Sequence, residues 1–465
     1  MGLVARNTAA LMCGAAIAVL VGVQVSHAQQ TNEAEKKGRV TLLQRLILGA
    51  GVEKVAIDTP QSVTVVEQED IDREQATTVG DVLKRIPGVN TSGSDRVFGQ
   101  TFNIRGIGAP ESANEEGRII VTVDGANKYY EQYRMGGFFS DPELYKKVEV
   151  LRGPASSTLY GSGAIGGVIN FSTKDASDFI REGQNGALKL KGAYNSNKDG
   201  WLGSAVLAQR LSENAEFLFA GNYRRADSYE TGNGTLVPSS DFAAWSGLAK
   251  GTFNVGDEGK LRVSYQQWDS DADDQNYAQV GTDATFGTVG RHVIDKTAVV
   301  SYENPFSDSD MLDLKVSASF SDTTVDQTNA SGNPMFGITC ATSLLICDTE
   351  YGYQTWQFNA QNTSEWSGDS WQNFLTYGWQ SGYQVRSAES TTVAGTPSGI
   401  NFHPEGSDLK TGVFVQNEFI WNERLTIIPG MRVDWHRLSP SDSTFLTEDD
   451  TDTVIFRGMR TLFEG

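Results

Sequence analysis

The sequence predicts an N-terminal α/β domain followed by the antiparallel strands of a transmembrane β-barrel. Three observations carry that prediction. Residues 1–28 have the pattern of an export signal, residues 51–180 mix short apolar strands with capped helical turns, and residues 186–465 alternate greasy and wet positions over long stretches. After the signal, no segment approaches the roughly 20 consecutive apolar residues that a membrane helix needs. An exported chain with a membrane role must then cross as a barrel, because only helices and closed sheets satisfy every backbone polar group in lipid.

The export signal has three parts. Arg6 precedes an uncharged apolar run over residues 9–25, and Ser26-His27-Ala28 supplies a small-x-small cleavage site before Gln29. Residues 29–50 form a leader, polar over 29–39 and apolar over 40–48 (VTLLQRLIL). That apolar stretch suits pairing with another protein's strand edge. It equally suits the first strand of the next domain. Removal of the signal leaves two cysteines, Cys340 and Cys347. An oxidising compartment would join them in a small loop, with a two-cysteine metal site as the alternative.

Within 51–180, residues 63–66 (VTVV) read as a strand and Asp70 as the cap of a short helix. A second helix is expected from Thr78 to Ile86, ended by Pro87-Gly88. Residues 101–106, 118–123 and 147–151 read as further strands, and Asp124-Gly125 as a turn. Five glycines between 153 and 167 predict tight turns between short strands.

From Gly186 the period is two. Leu188, Leu190 and Tyr194 oppose Lys189, Lys191 and Asn195, and Leu312, Leu314, Val316, Ala318 and Phe320 oppose Asp313, Lys315, Ser317 and Ser319. Leu425, Ile427, Met431, Val433 and Trp435 oppose Arg432, Asp434 and His436. A soluble sandwich alternates in the same way, but the connections here alternate between short turns and long loops, as membrane barrels do. About eleven strands result.

Net charge is −20 over 465 residues, with a pI of about 4.7. Nothing in so acidic a chain offsets phosphate repulsion, so nucleic acid is excluded as a partner. GSGAIGG (161–167) has neither a nucleophilic serine elbow nor the Gly-Lys-Ser/Thr of a phosphate loop, so no enzyme is expected. The acidic stretch WDSDADDQNY (268–277) lacks the glycine and distal glutamate of a calcium loop.

Four motifs in order, TTVGDVLKRIPGV (77–89), FNIRGIG (102–108), VTVDGA (121–126) and VEVLRGPASSTLYGSGAIGGVINFSTK (148–174), resemble the plug of TonB-dependent outer-membrane receptors. The resemblance spans about residues 40–437. It implies a signal peptide (1–28), a leader with a TonB box (29–50), a plug (51–180) and the first part of a barrel (186–465), about half of one of about 22 strands. The implied localisation is the outer membrane of a Gram-negative bacterium. The implied partners are the TonB energy-transducing complex, outer-membrane lipid and an imported iron complex, with no intrinsic cofactor. The TonB box would comprise Val40, Thr41, Leu42, Leu43, Leu46 and Ile47. Arg105 and Arg152 match plug arginines that tend in the family to pair with barrel carboxylates and lock the plug; ordinary solvated strand ends are the alternative.

The segment DGANKYYEQYRMGGFFSDP (124–142) looks most like the haem branch of the family. Members often carry a histidine there, whereas this chain has Tyr133 or Arg134 at about that place, beside Tyr129 and Tyr130. Tyrosinate ligates haem iron and arginine pairs with propionates. The same residues suit a siderophore or a protein partner. His292 and His403 are expected in long outer loops and His436 on a wet strand face, as ligand candidates or as plain hydrogen-bonded histidines. Haem is therefore the expected cargo, with a ferric-siderophore receptor as the alternative. In the haem branch a Phe-Arg-Ala-Pro box and a terminal aromatic would follow, so the resemblance also implies a fragment or a non-transporting remnant.

Overall fold

In a computed structural model, the structure describes residues 45–46, 54–55, 62–92, 99–108, 118–130, 135–154, 157–161, 163–197, 199–277, 286–305, 309–400, 405–422 and 424–441. Expectations for the signal, for Val40 to Leu43 and Ile47, and for Tyr133, Arg134 and His403 lie outside them. Two short strands open the described chain. β1 (Arg45–Leu46) pairs antiparallel with β2 (Lys54–Val55).

The α/β domain follows. Its elements are β3 (Ser62–Glu67), α1 (Gln68–Glu74), α2 (Val79–Leu83), β4 (Val89–Ser92), β5 (Thr101–Ile104), β6 (Ile119–Val123), β7 (Ala126–Asn127), β8 (Tyr145–Arg152), α3 (Ser157–Tyr160) and β9 (Gly167–Thr173). Five strands form one sheet in the order β3-β8-β9-β6-β7, with β6 parallel to β9. β4 and β5 form a separate pair. Val148, Val150, Ile169 and Phe171 of the central strands are buried against Leu83, Phe102 and Ile104. Helix α1 is capped at Glu67 rather than at Asp70. Asp70 stands at the third helical position and its carboxylate accepts from the Glu67 N–H. Thr78 caps α2 through its hydroxyl, which accepts from the Asp81 N–H at 3.2 Å. Asp124 (φ 47°) and Gly125 (φ 85°) make a two-residue turn between β6 and β7. Positive φ at both positions matches the right-handed twist of the flanking strands. Arg105 (φ 52°) and Gly106 (φ 86°) turn the chain in the same way after β5.

The second region is a meander. It runs β10 (Gly186–Asn195), β11 (Gly200–Ser212), β12 (Ala215–Ala226), β13 (Phe242–Val255), β14 (Gly259–Asn276), β15 (Thr288–Asn304), β16 (Asp313–Thr328), β17 (Thr349–Gly368), β18 (Trp371–Thr391), β19 (Pro397–Gly399), β20 (Gly406–Trp421), β21 (Leu425–Ile427) and β22 (Gly430–Pro440). β21 and β22 both pair with β20 and form one strand interrupted at Pro429, while β19 is a short addition to β18. Eleven staves result among the described residues, each antiparallel to the next.

The greasy face of this sheet is exposed, as with Leu188 at 66 % and Val433 at 59 %. Two aromatic belts bound it. One runs Trp201–Tyr223–Trp245 at ring separations of 5.3 and 4.3 Å, and Phe320–Trp356–Tyr383 at 5.1 and 6.1 Å. The other holds Phe217–Phe253 at 5.5 Å and Trp371–Phe419 at 6.3 Å. Trp356 and Trp366 lie ten residues apart on β17. That is about 33 Å of strand, which spans about 25 Å at a tilt of about 40°, the height of the apolar band of an outer-membrane barrel. One end of the sheet has short turns and the other has long connections after β12, β14, β16 and β18. The wet face lies against the α/β domain.

Candidate functional site

The contact between the α/β domain and the strand wall is built from buried ion pairs. The segment from Lys128 to Asp141 is held at both ends. Lys128 Nζ donates to Asp295 Oδ1 and to Thr297 Oγ1, each at 2.8 Å, and Thr323 Oγ1 donates to Asp295 Oδ2 at 2.7 Å. Arg224 Nε and Nη2 donate to the two Asp141 oxygens at 3.1 Å. A partner at this range supports a buried charge that would be costly alone. Lower on the wall, Lys250 meets Asp175 at 3.0 Å and Asp124 at 3.4 Å, and Lys189 and Lys191 each meet Asp72 at 3.1 Å. Burial opposes the ionised form of Asp175, yet the Lys250 and Lys146 ammoniums outweigh it and hold the carboxyl well below its ordinary range. Gln357 completes the β7 edge: its Oε1 accepts from Asn127 N at 2.9 Å and its Nε2 donates to Asn127 O at 3.3 Å.

Between these clamps the segment wedges aromatic side chains into the wall. Tyr130 meets Phe139 at 5.4 Å and Tyr353 at 5.1 Å between ring centres. Met135, Trp268, Tyr277, Val293, Val325 and Tyr351 complete the cluster. Tyr130 is 3 % exposed and its hydroxyl lies 3.6 Å from Met135 Sδ. Burial, then neighbouring tyrosines, push its phenol well above the ordinary value. Tyr130 is thus a packing residue, which corrects its expected role as a ligand.

Below the cluster lies a cavity of about 580 Å³ between domain and wall. Tyr129 lines it, as do Lys410, Asp408 and His436. These four residues form a chain. Lys410 Nζ sits 5.3 Å from the Tyr129 ring centre and 3.1 Å from Asp408 Oδ2, and Asp408 Oδ1 contacts His436 Nε2. Two expected ligand candidates, Tyr129 and His436, therefore meet at one cavity. Arg432 reaches the same cavity and binds Asp434, Gln380 and the Thr158 carbonyl.

Other expected residues fall elsewhere. His292 is in β15 and not in a loop; its ring contacts Asp269 at 3.2 Å on the outward face. Arg152 donates to the Pro87 carbonyl at 2.7 Å, to Thr64 Oγ1 at 2.8 Å and to the Ser62 carbonyl at 3.4 Å, all within its own domain. Its burial, and then the neighbouring Arg105, lower its pKa. Among the described residues neither arginine forms an ion pair with a wall carboxylate. The ion pairs between domain and wall are instead Lys128–Asp295 and pairs of opposite polarity, with carboxylates on the domain and cations on the wall. Asp124 and Asp141, which frame the segment in the sequence, were the legible signal for two of these pairs. Cys340 and Cys347 are joined by a disulfide in the long connection after β16. Leu46 lies in β1, paired within the chain to Lys54.

A family profile described as TonB-dependent Receptor Plug Domain matches residues 55–168, and one described as TonB dependent receptor-like, beta-barrel matches residues 244–457. The chain belongs to the TonB-dependent receptors. A hemin receptor of Yersinia enterocolitica is 28 % identical over 312 residues, covering 66 % of this chain and 43 % of that receptor. TonB-dependent heme receptor A of Haemophilus influenzae (strain ATCC 51907 / DSM 11121 / KW20 / Rd) is 34 % identical over 203 residues, covering 43 % of this chain and 26 % of the relative. Among solved structures, a double mutant of the Serratia marcescens hemophore receptor HasR, in complex with its hemophore HasA and heme, aligns with a TM-score of 0.69 at 24 % identity. The alignment covers 82 % of this chain and 53 % of HasR. The receptor chain thus spans about half the length of these relatives or less. The α/β domain is the plug, and the strand wall is the matching part of the barrel.

Proposed function

We propose that the receptor takes up an iron complex, haem foremost, across the outer membrane of a Gram-negative bacterium, with the plug as the gate. The observation that carries this reading is the cavity shared by Tyr129 and His436, where a phenol from the plug stands across from an imidazole, an ammonium and a guanidinium of the wall. Phenolate and imidazole are iron ligands, and the two cations can meet propionates. The names of the hemin and heme receptor relatives support the same cargo. Short turns face the periplasm and long connections face outward, as the barrel rule requires. The leader with Val40 to Leu43, Leu46 and Ile47 would meet TonB, whose pull supplies the energy that the outer membrane lacks. The clamps at Lys128 and Asp141 would hold the plug until that pull arrives.

The test is a haemin titration of the detergent-solubilised receptor followed at the Soret band. A saturable shift is expected, weakened by about tenfold in Tyr129→Phe or His436→Gln, the loss of one ligand bond. Absence of any shift, with saturable binding of a ferric siderophore instead, would overturn the haem reading.

A further inference from the structure

The cavity between plug and wall has the opposite charge balance to the chain. Seven lysines and arginines line it against five aspartates and glutamates, in a sequence of net charge −20. Six of the seven bases have a carboxylate within 3.1 Å. Lys315 is the exception. Among the described residues it makes neither an ion pair nor a hydrogen bond, although it is half-buried. A partly buried ammonium without a counter-charge is unfavourable until an anion meets it.

The sheet register shows why the nearest carboxylate leaves Lys315 alone. Glu303 of β15 stands directly opposite Lys315 of β16. Its carboxylate instead accepts from Arg262 Nη1 at 2.8 Å. Arg262 Nε and Nη2 make no further hydrogen bond among the described residues. Arg262 and Lys315 thus flank one carboxylate from strands about 10 Å apart. Together they keep more N–H groups at the cavity than Glu303 can occupy, and both bases suit carboxylate or phosphate oxygens.

The same register leads from this pair to the other charged end. Lys315, Gln361, Gly378, Phe414 and Arg432 stand opposite one another in turn across β16, β17, β18, β20 and β22. Four strand spacings put about 19 Å between Lys315 and Arg432. In the row beside it, Arg262 is followed by Ser301, Ser317, Asn359 and Gln380. Between their charged ends both rows are neutral, and their hydroxyls and amides can donate and accept.

We propose that Lys315 and Arg262 form an anion subsite at the short-turn end of the cavity. It takes a carboxylate or phosphate group and is reached along the neutral strip. The proposal rests on the import reading only for the source of that group. The source is either a carboxylate of cargo moving on from Tyr129 and His436 or a free phosphate.

The probe is pyridoxal 5′-phosphate, an anionic aldehyde that condenses with a lysine amine and is fixed by borohydride. Peptide mass spectrometry of the solubilised receptor locates the labelled lysines. Lys315 is expected to label about tenfold faster than the exposed Lys260, the worth of one charge-assisted hydrogen bond to the phosphate. Arg262→Gln/Glu303→Gln should lose that advantage relative to Glu303→Gln alone, with Lys260 unchanged. Should the double variant fail to fold, protection of the wild type decides. Inorganic phosphate or haemin should slow labelling of Lys315 and not of Lys260. Protection by haemin but not by its dimethyl ester assigns the group to cargo, and protection by phosphate alone assigns a free anion. The Soret titration of the same preparations reads the import proposal separately. Labelling of Lys315 no faster than Lys260, an undiminished rate in the folded double variant, or protection by neither anion would each overturn the subsite. So would equal protection by haemin and its ester with none by phosphate, which would show steric cover alone.

Discussion

Arg224 of the barrel wall and Asp141 of the plug face each other fork to fork, each carboxylate oxygen accepting one N–H at 3.1 Å. Both side chains are buried. Asp141 also accepts from Glu143 N at 2.8 Å, so the same carboxylate starts the helical turn Pro142–Leu144 that leads into β8. One residue thus ties the barrel wall to β8 of the plug sheet. At the other end of the segment Lys128–Asp295 ties the wall to the end of the edge strand β7.

Removal of one partner leaves a charge without water or counter-ion. Arg224→Met is expected to lower plug stability by about 3–5 kcal/mol, and Arg224→Met/Asp141→Leu to recover most of it, because an apolar pair replaces a buried ion pair at little cost. Limited proteolysis of the plug in micelles reads both. Additive loss in the double variant would show that the two groups act independently.

Tyr130 and Tyr129 are neighbours in sequence with opposite surroundings. Tyr130→Phe should leave both stability and haemin affinity near the wild-type level, since its hydroxyl meets only a thioether at 3.6 Å among the described residues. Tyr130→Ala should cost about 3–5 kcal/mol as a cavity opens beside Tyr353 and Phe139. Thermal unfolding separates the two. A large loss with phenylalanine would mean that the hydroxyl matters after all.

Strand alternation and turn placement were legible because both are local. Leu314 to Phe320 show one face and Asp313 to Ser319 the other within a single strand, and Asp124-Gly125 names its own turn. The partners of Arg152 were not legible. Ser62, Thr64 and Pro87 lie up to 90 residues away in sequence, and no spacing rule links them. Tyr129 and Tyr130 looked alike because two adjacent residues on an extended segment point in opposite directions. Only the position of the wall decides which one is buried. His292 was misplaced for a related reason: the outer ends of the strands continue beyond the aromatic belt, so polar residues that resemble a loop remain paired as β-strand.

Asp175 makes the plug sensitive to acid. Its folded pKa lies below the ordinary 3.8. The stability it contributes is therefore complete above about pH 4 and is lost as pH falls further towards the depressed folded value. Lys146 behaves conversely. Burial lowers its pKa, but Asp175 and Asp178 raise it above 10.5, so its contribution is lost only in strong alkali. Urea unfolding should show Asp175→Asn about 2 kcal/mol less stable than wild type at pH 6, with the gap narrowing by pH 3. A gap independent of pH would assign the loss to packing.

Gly136 fixes the return limb of the plug segment. It stands at φ +78°, and a Cβ there would lie 2.5 Å from Gly99 C and 2.8 Å from Gln100 N. Those backbone atoms cannot yield easily, because Gln100 N donates to Phe138 O at 2.9 Å and Gly137 N donates to Gln100 O at 3.0 Å. The Gln100 side chain in turn accepts from Gly80 N at the start of α2. Gly136→Ala combines an unfavourable backbone angle with overpacking, and each costs about 1–3 kcal/mol. The limb should lift from Gln100 and withdraw Phe139 from Tyr130. The expected result is faster protease cleavage near residue 136 and weaker haemin binding, with the barrel melt unchanged. Cleavage and binding at wild-type rates would mean that the limb does not set the position of the segment above the cavity.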